Sequence, residues 1–278
     1  MATRVTSLLL ASHPGPTLVV TAVAAGLGIG LGYSPGRLAL LALAILLGQL
    51  SIGWSNDWLD AARDRAVDRA DKPAARGDIS PTAVRAAAFS ALGLALVATA
   101  PLGPGALAAH AVAIAGGWAY NLGLKSTVLS FVPFAISFGL LPAIATLGQE
   151  RPVVPAAWVL LAGALLGVAA HITNVLPDLA DDERTGIRGL PHRLGAMVSG
   201  LLAFGCLAVA TALVALGPGW PMRPALTVGL VLGLAAAALG VVLLLRSSPT
   251  RLLMQLIMTC ALIDVLMLAI AGQSVVAA

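Results

Sequence analysis

Long apolar blocks run the length of the chain, separated by short breaks at Pro or Gly around residues 35–36, 101–105, 152–155, 217–224 and 249. Each block is close to the roughly 20 apolar residues that a helix needs to cross a bilayer. The pattern predicts nine transmembrane helices, over 15–33, 37–56, 81–101, 104–120, 127–148, 155–176, 196–217, 223–245 and 250–271. The expected fold class is therefore all-α, a polytopic membrane protein forming a single domain over residues 1–278. Composition agrees: 59% of residues are hydrophobic, only 10% are charged and the mean hydropathy is +0.97, against about 25% charge in soluble domains. Cys206 and Cys260 both fall inside apolar segments, where buried reduced thiols are the plain reading. The N-terminus reads as lacking a convincing signal peptide, because the apolar run after Arg4 is broken by His13-Pro14-Gly15-Pro16.

Charge changes the picture by fixing an orientation. With nine spans, one side receives the N-terminus and the loops after spans two, four, six and eight. Thirteen of the sixteen basic residues fall there, and only Arg37, Arg151 and Arg223 fall on the other side. The positive-inside rule places the first set in the cytoplasm. The net charge of +4 thus reads as a topology signal, and no basic domain outside the membrane is present to bind nucleic acid.

The acidic residues are distributed differently. Ten of the twelve lie in two stretches, 51–80 and 171–195, both on the expected cytoplasmic side. In the first, Asn56, Asp60, Asp64 and Asp68 step by four and Asp57 to Asp60 by three, which on a helix lines most of the oxygens along one face. In the second, Asn174, Asp178 and Asp182 step by four, with Asp181 beside them. Clustered carboxylates repel, so a positive partner is expected among them, and hard oxygens suit Mg²⁺. Asp57, Asp60, Asp64, Asp178 and Asp182 are the candidate metal ligands; Asp68, Asp71 and Asp181 are expected to matter less. Two such clusters with Arg63, Arg69, Lys72, Lys125, Arg188 and Arg193 nearby could hold a diphosphate through the metal and stabilise it as a leaving group. Asn-x-x-x-Asp in both clusters, each after an even-numbered span, hints at two distantly repeated four-helix halves followed by a ninth helix.

These motifs resemble the signatures of the UbiA superfamily of intramembrane prenyltransferases. Asn56, Asp57, Asp60 and Asp64 match its Asn-Asp-x-x-Asp-x-x-x-Asp, followed by Lys72-Pro73, Gly77 and Ile79-Ser80. Asp178 and Asp182 match the second signature, with Asn174 before, Gly186 after, and Arg193-Leu194-Gly195 closing the segment. Tyr120 and Lys125 resemble the tyrosine and lysine that follow the fourth span. The resemblance covers essentially the whole chain. It implies a helical bundle around a central cavity, Mg²⁺ ions at both acidic motifs and an isoprenyl diphosphate ionised there for attack by an acceptor. Asp60, Asp178 and Lys125 are the implied catalytic groups; Asn56, Arg63, Arg69, Lys72, Tyr120, Lys125, Asn174 and Arg188 are the implied substrate contacts. Lys72 departs from the usual arginine and loses its bidentate fork. Pro177 before Asp178 is expected to kink or restart the helix.

An aromatic or quinone-precursor acceptor is the leading expectation, with a lipid or tetrapyrrole acceptor, or terpene cyclisation, as alternatives inside the superfamily. Asn-Asp-Trp at 56–58 and Gly-Leu-Pro at 189–191 point faintly to the chlorophyll-synthase branch. The CDP-alcohol phosphotransferase motif fails, because Ala61 stands where it requires glycine. A membrane transporter is the non-enzyme alternative, but it calls for acids near the bilayer midplane, where only Asp264 lies. His110 and Asp264 are ionisable residues inside spans, with a mutual hydrogen bond as one expectation. His171 reads most plainly as a hydrogen-bonded core histidine. Trp54 and Trp58 read as interface markers, with a prenyl-channel lining as the sharper option.

Overall fold

The computed structural model describes residues 4–66, 72–179, 182, 186–246 and 251–277. Its helices are α1 (Arg4–Ala11), α2 (Pro14–Gly30), α3 (Pro35–Ala66), α4 (Pro73–Arg76), α5 (Pro81–Thr99), α6 (Pro104–Leu122), α7 (Val132–Leu147), α8 (Ala157–Val175), α9 (Leu190–Leu216), α10 (Pro224–Arg246) and α11 (Arg251–Ala271). Six of them begin on a proline. There the missing N–H is one that the helix could not have paired, and the fixed φ already suits the first turn. Among the helices of the expected spans, α2, α3, α5, α6 and α10 open in this way.

Each expected span finds a helix. Six helical stretches among the described residues are long and apolar enough to cross a membrane, or seven if α1 and α2, bent by 68° at residues 12–13, are taken as one. The nine expected crossings are therefore not established by length and composition: α7, for example, is a shorter apolar helix. Its expected start at 127 gives way to turns, and the helix begins at Val132. α3 deviates the other way. At 32 residues it runs ten beyond the expected end, about 48 Å against a hydrocarbon core of about 30 Å. The first acidic motif is thus the continuation of a membrane helix, not a loop after one.

The packing closes a ring. α2 contacts α3, α3 contacts α6, and α6 to α9 follow in sequence; α9 contacts α11, which returns to α2. α5 packs chiefly on α3, and α10 on α9 and α11. Close approach depends on small residues. A Cβ on Gly163 of α8 would lie 2.6 Å from the Phe138 carbonyl oxygen of α7, a backbone atom with no freedom to give way.

The two ends of the ring differ. At one, Arg37 donates to the carbonyls of Leu102, Gly148 and Gln149 at 2.6–3.2 Å. There Gln273 also bonds the Leu31 carbonyl, and Val276 pairs with Pro155. Arg37 opens α3 while Asp57, Asp60 and Asp64 lie near its other end, so one helix separates the Arg37 belt from the first motif. The C-terminal ends of α6 and α8 lie on the motif side as well, away from Leu102 and Pro155.

Candidate active site

Three carboxylates on successive turns of α3 are nearly inaccessible: Asp57 is 1% exposed, Asp60 7% and Asp64 5%. The spacing of three and four residues aligns them, as the sequence indicated. What neutralises Asp57 and Asp60 here is the protein's own cations. Lys125, in the 3₁₀ turn Leu124–Ser126 after α6, donates to both oxygens of Asp60 at 2.5 and 2.6 Å. Arg63 reaches the same carboxylate at 2.7 Å, and Asn56 donates to it at 3.1 Å. Burial pushes the Lys125 ammonium below the usual lysine range, and the attraction of Asp60 opposes that shift.

Asp57 faces the Lys72 ammonium at 3.3 Å. Lys72 precedes Pro73, which opens the single-turn helix α4, and Gly77 closes α4 in the left-handed region at φ 83°. The Lys-Pro…Gly spacing thus makes a compact turn that returns the lysine to α3. Ser80 then caps α5 by accepting from the Ala83 N–H at 3.2 Å. Lys72 also donates to Asn56 Oδ1 at 3.2 Å and is bonded to His13 Nε2 at 2.9 Å.

Asn121, which sequence reasoning passed over, organises the centre. It donates to the Ile52 carbonyl at 2.9 Å and Ser55 Oγ at 2.8 Å, and its Oδ1 accepts from Asn56 at 3.2 Å. An amide in the last turn of a largely apolar α6, beside Tyr120, was the available signal. Tyr120 meets Phe134 and His171 edge-on, with centroids at 5.1 and 5.7 Å. His171 is a buried, hydrogen-bonded histidine, as its plain reading held: its Nε2 lies 3.0 Å from Ser130 Oγ.

The second motif reaches the same region by another route. α8 ends at Val175 and passes into the 3₁₀ turn Leu176–Asp178, where Pro177 removes a donor. Pro177 thus interrupts α8 between Asn174 and Asp178, as its place just before Asp178 indicated. Asn174 is exposed on the last turn of α8, and Arg188 is exposed, its carbonyl accepting from Arg193 Nε at 3.3 Å. Asp182 approaches His192 Nε2 at 3.6 Å, and its carbonyl accepts from the Ile187 N–H at 2.9 Å. The segment after it docks on the Lys125 turn. Leu190 N–H donates to Ser130 Oγ at 2.9 Å, and a Cβ on Gly189 would sit 2.6 Å from the Lys125 carbonyl oxygen. Ser130 and Gly189 thus couple the second motif's loop to the turn that pairs with Asp60. The side chain of Asp178 and all of Asp68, Arg69, Asp71 and Asp181 lie outside the described residues.

Other expectations resolve differently. His110 pairs with Thr99 at 2.7 Å and Asp264 with Thr211 at 2.6 Å, so these two do not bond each other. Trp54 donates to the Leu8 carbonyl at 2.8 Å, holding α1 against α3. Trp58 joins Phe89 and Trp118 in a seam between α3, α5 and α6.

The donor set suits a hard divalent cation in its chemistry, being oxygen throughout on α3. Asp57 Oδ2 is moreover buried without a partner in hydrogen-bond geometry, a deficit that a cation would relieve. Among the described residues, however, no three acidic, His or Cys groups converge as a preformed metal site. Lysines stand against Asp57 and Asp60 instead.

A closed ring of apolar helices with buried carboxylates and lysines at one end defines an integral membrane protein with a polar site at one face. The chain belongs to the UbiA prenyltransferase family, whose model matches residues 15–263. Solved structures share the fold. A UbiA homologue from Archaeoglobus fulgidus, bound to GPP and Mg²⁺, superposes with a TM-score of 0.74 at 18% identity, covering 97% of this chain and 99% of its own. A digeranylgeranylglyceryl phosphate synthase structure gives 0.71 at 15%, covering 96% and 98%. An apo UbiA homologue from Aeropyrum pernix K1 gives 0.69 at 15%, covering 99% and 98%. No curated protein sequence compared with the chain matches it significantly.

Proposed function

We propose that this protein is a Mg²⁺-dependent intramembrane prenyltransferase that moves an isoprenyl group from an allylic diphosphate to an aromatic or quinone-precursor acceptor. The observation that carries the reading is the meeting of Asp57 and Asp60 with Lys72 and Lys125 at one buried place. A carboxylate pair holding two lysines is matched in charge to a metal–diphosphate complex. Asp57 and Asp60 would hold the metal, and the Lys72 and Lys125 ammoniums beside them would pair with phosphate oxygens. Family membership and the GPP- and Mg²⁺-bound relative support the same substrate class.

In this reading Asp57, Asp60 and Asp64 hold metal at the first motif, and Asp178 and Asp182 hold it at the second. When bound, Mg²⁺ neutralises the diphosphate and makes it a better leaving group. Lys125 and Lys72 meet the charge that develops on the departing oxygen, aided by Arg63, Arg69 and Arg188. The allylic C–O bond breaks, diphosphate leaves, and the acceptor forms the new bond to the prenyl carbon and gives up a proton, which the departing diphosphate can take. Asn56 and Asn174 orient substrate oxygens, and Tyr120 with Phe134 presents aromatic surface to the prenyl carbons. The whole chain acts as one domain of nine crossings, a distant duplication plus a ninth helix, with both motifs on the cytoplasmic side.

The test incubates purified protein with Mg²⁺, a panel of prenyl diphosphates and extracted host lipids, and identifies products by mass. A prenylated product that disappears in chelator and returns with Mg²⁺ is expected. Full turnover in excess chelator removes the metal mechanism, and a product lacking an added prenyl group removes transfer.

A further inference from the structure

The N-terminal segment enters the site through a residue to which the reading above gives no role. His13 sits at the bend between α1 and α2 in the left-handed region, at φ 53° and ψ 65°. A non-glycine residue pays for that conformation, and such residues gather where a side chain has to be aimed. Here the aim is at Lys72. The backbone holds the bend in place: Thr17 caps it by donating to the Ser12 carbonyl at 2.9 Å, and Ser12 packs so closely on Gly53 of α3 that a Cβ there would overlap its carbonyl. The Leu8 carbonyl is fixed by Trp54 one turn earlier.

Lys72 is 9% exposed, and its three ammonium protons face His13 Nε2 at 2.9 Å, Asn56 Oδ1 at 3.2 Å and Asp57 Oδ1 at 3.3 Å. An ammonium has no lone pair, so His13 must accept, with its ring proton on Nδ1. His13 is therefore a neutral acceptor in a set whose other strong partner is the Asp57 carboxylate. A partner cation that draws Asp57 away leaves Lys72 with two neutral acceptors, one from α3 and one from the bend. These keep the ammonium beside the acidic motif without neutralising it.

We propose that His13 is a positioning residue of the diphosphate site, holding the Lys72 ammonium at the first acidic motif from the α1–α2 bend. The assignment rests on the reading that Lys72 meets diphosphate. It gives α1 a task, since the short helix is anchored beside the motif at Trp54 while Val5, Leu9 and Leu10 remain exposed.

The experiment uses the full chain in detergent with Mg²⁺, titrated calorimetrically with inorganic pyrophosphate. His13→Gly removes the imidazole and suits the left-handed backbone, so the bend itself is spared. Loss of the contact should weaken pyrophosphate binding about five- to tenfold. His13→Gln, which restores an acceptor, should recover most of the affinity. His13→Gly combined with Lys72→Met should bind pyrophosphate no more weakly than Lys72→Met alone, since the proposal routes the effect of the histidine on diphosphate through the lysine. Effects that add, or a His13→Gly protein with unchanged affinity beside a weakened Lys72→Met, overturn the assignment. The unaltered chain, His13→Gly, Lys72→Met and the double variant, melted without ligand, give a second cycle. If the unaltered chain binds no pyrophosphate, the prenyltransferase reading falls and the diphosphate role of His13 falls with it; if it binds, non-additive melting supports the assignment and additive melting overturns it by removing the His13–Lys72 contact on which it stands.

Discussion

Replacing Asp60 by asparagine is the most informative single change, because that carboxylate is the shared acceptor of Lys125, Arg63 and Asn56. The side chain keeps its size and loses its charge. Arg63 is partly exposed, at 28% of its side chain, and can turn to water, but Lys125 is only 7% exposed and is left as a buried cation. Breaking a buried pair from one side costs about 3–5 kcal/mol. For a chain of this size that is a fall in melting temperature of roughly 6–20 °C. The deficit should depend on pH. Burial already holds Lys125 below its ordinary value, and removing Asp60 takes away the attraction that opposed this. The folded variant then binds fewer protons than the unfolded chain over the interval between the lowered value and the ordinary lysine pKa of about 10.4. Stability rises with pH wherever the unfolded state binds more protons, so the variant should regain stability as pH climbs toward about 10. Adding Lys125→Met removes the stranded charge and should recover much of the loss at neutral pH. The assay is melting of the purified protein in detergent across pH, with turnover measured alongside; on the metal-binding role proposed for Asp60, loss of its charge should lower the rate about 10²–10³-fold. A variant that melts like the parent at neutral pH, and gains nothing from Lys125→Met, would show that the ammonium does not depend on Asp60.

Two further outcomes follow from the packing and the chain direction. Gly163→Ala forces a Cβ onto the Phe138 carbonyl oxygen and should separate α7 from α8, costing about 1–3 kcal/mol; an unchanged melting temperature would refute the close contact. Reporter fusions at residues 70 and 185 should both report the cytoplasm and one at 278 the opposite side. Opposite reports at 70 and 185 would break the shared site.

The helices were legible because their cause is local. Apolar blocks of bilayer length, opened by proline, leave the backbone little alternative, and the expected breaks fall where helices end. Charge spacing was legible for the same reason: residues three and four apart align wherever the helix continues, as Asp57, Asp60 and Asp64 do. At the second motif Pro177 was the legible signal: α8 gives way there to the turn Leu176–Asp178, and helical geometry returns at Leu179.

What lay beyond the sequence were the partners. Lys125 sits 65 positions from Asp60 and His13 59 positions from Lys72, and no periodicity connects them. The sequence determined by itself that oxygens cluster at one face and that something positive must lie among them. Only the closing of the ring decided that, in the protein alone, the positive groups are its own lysines. Helix formation answers to neighbours within a turn, whereas charge compensation in a buried site depends on distance through space, which the tertiary packing sets.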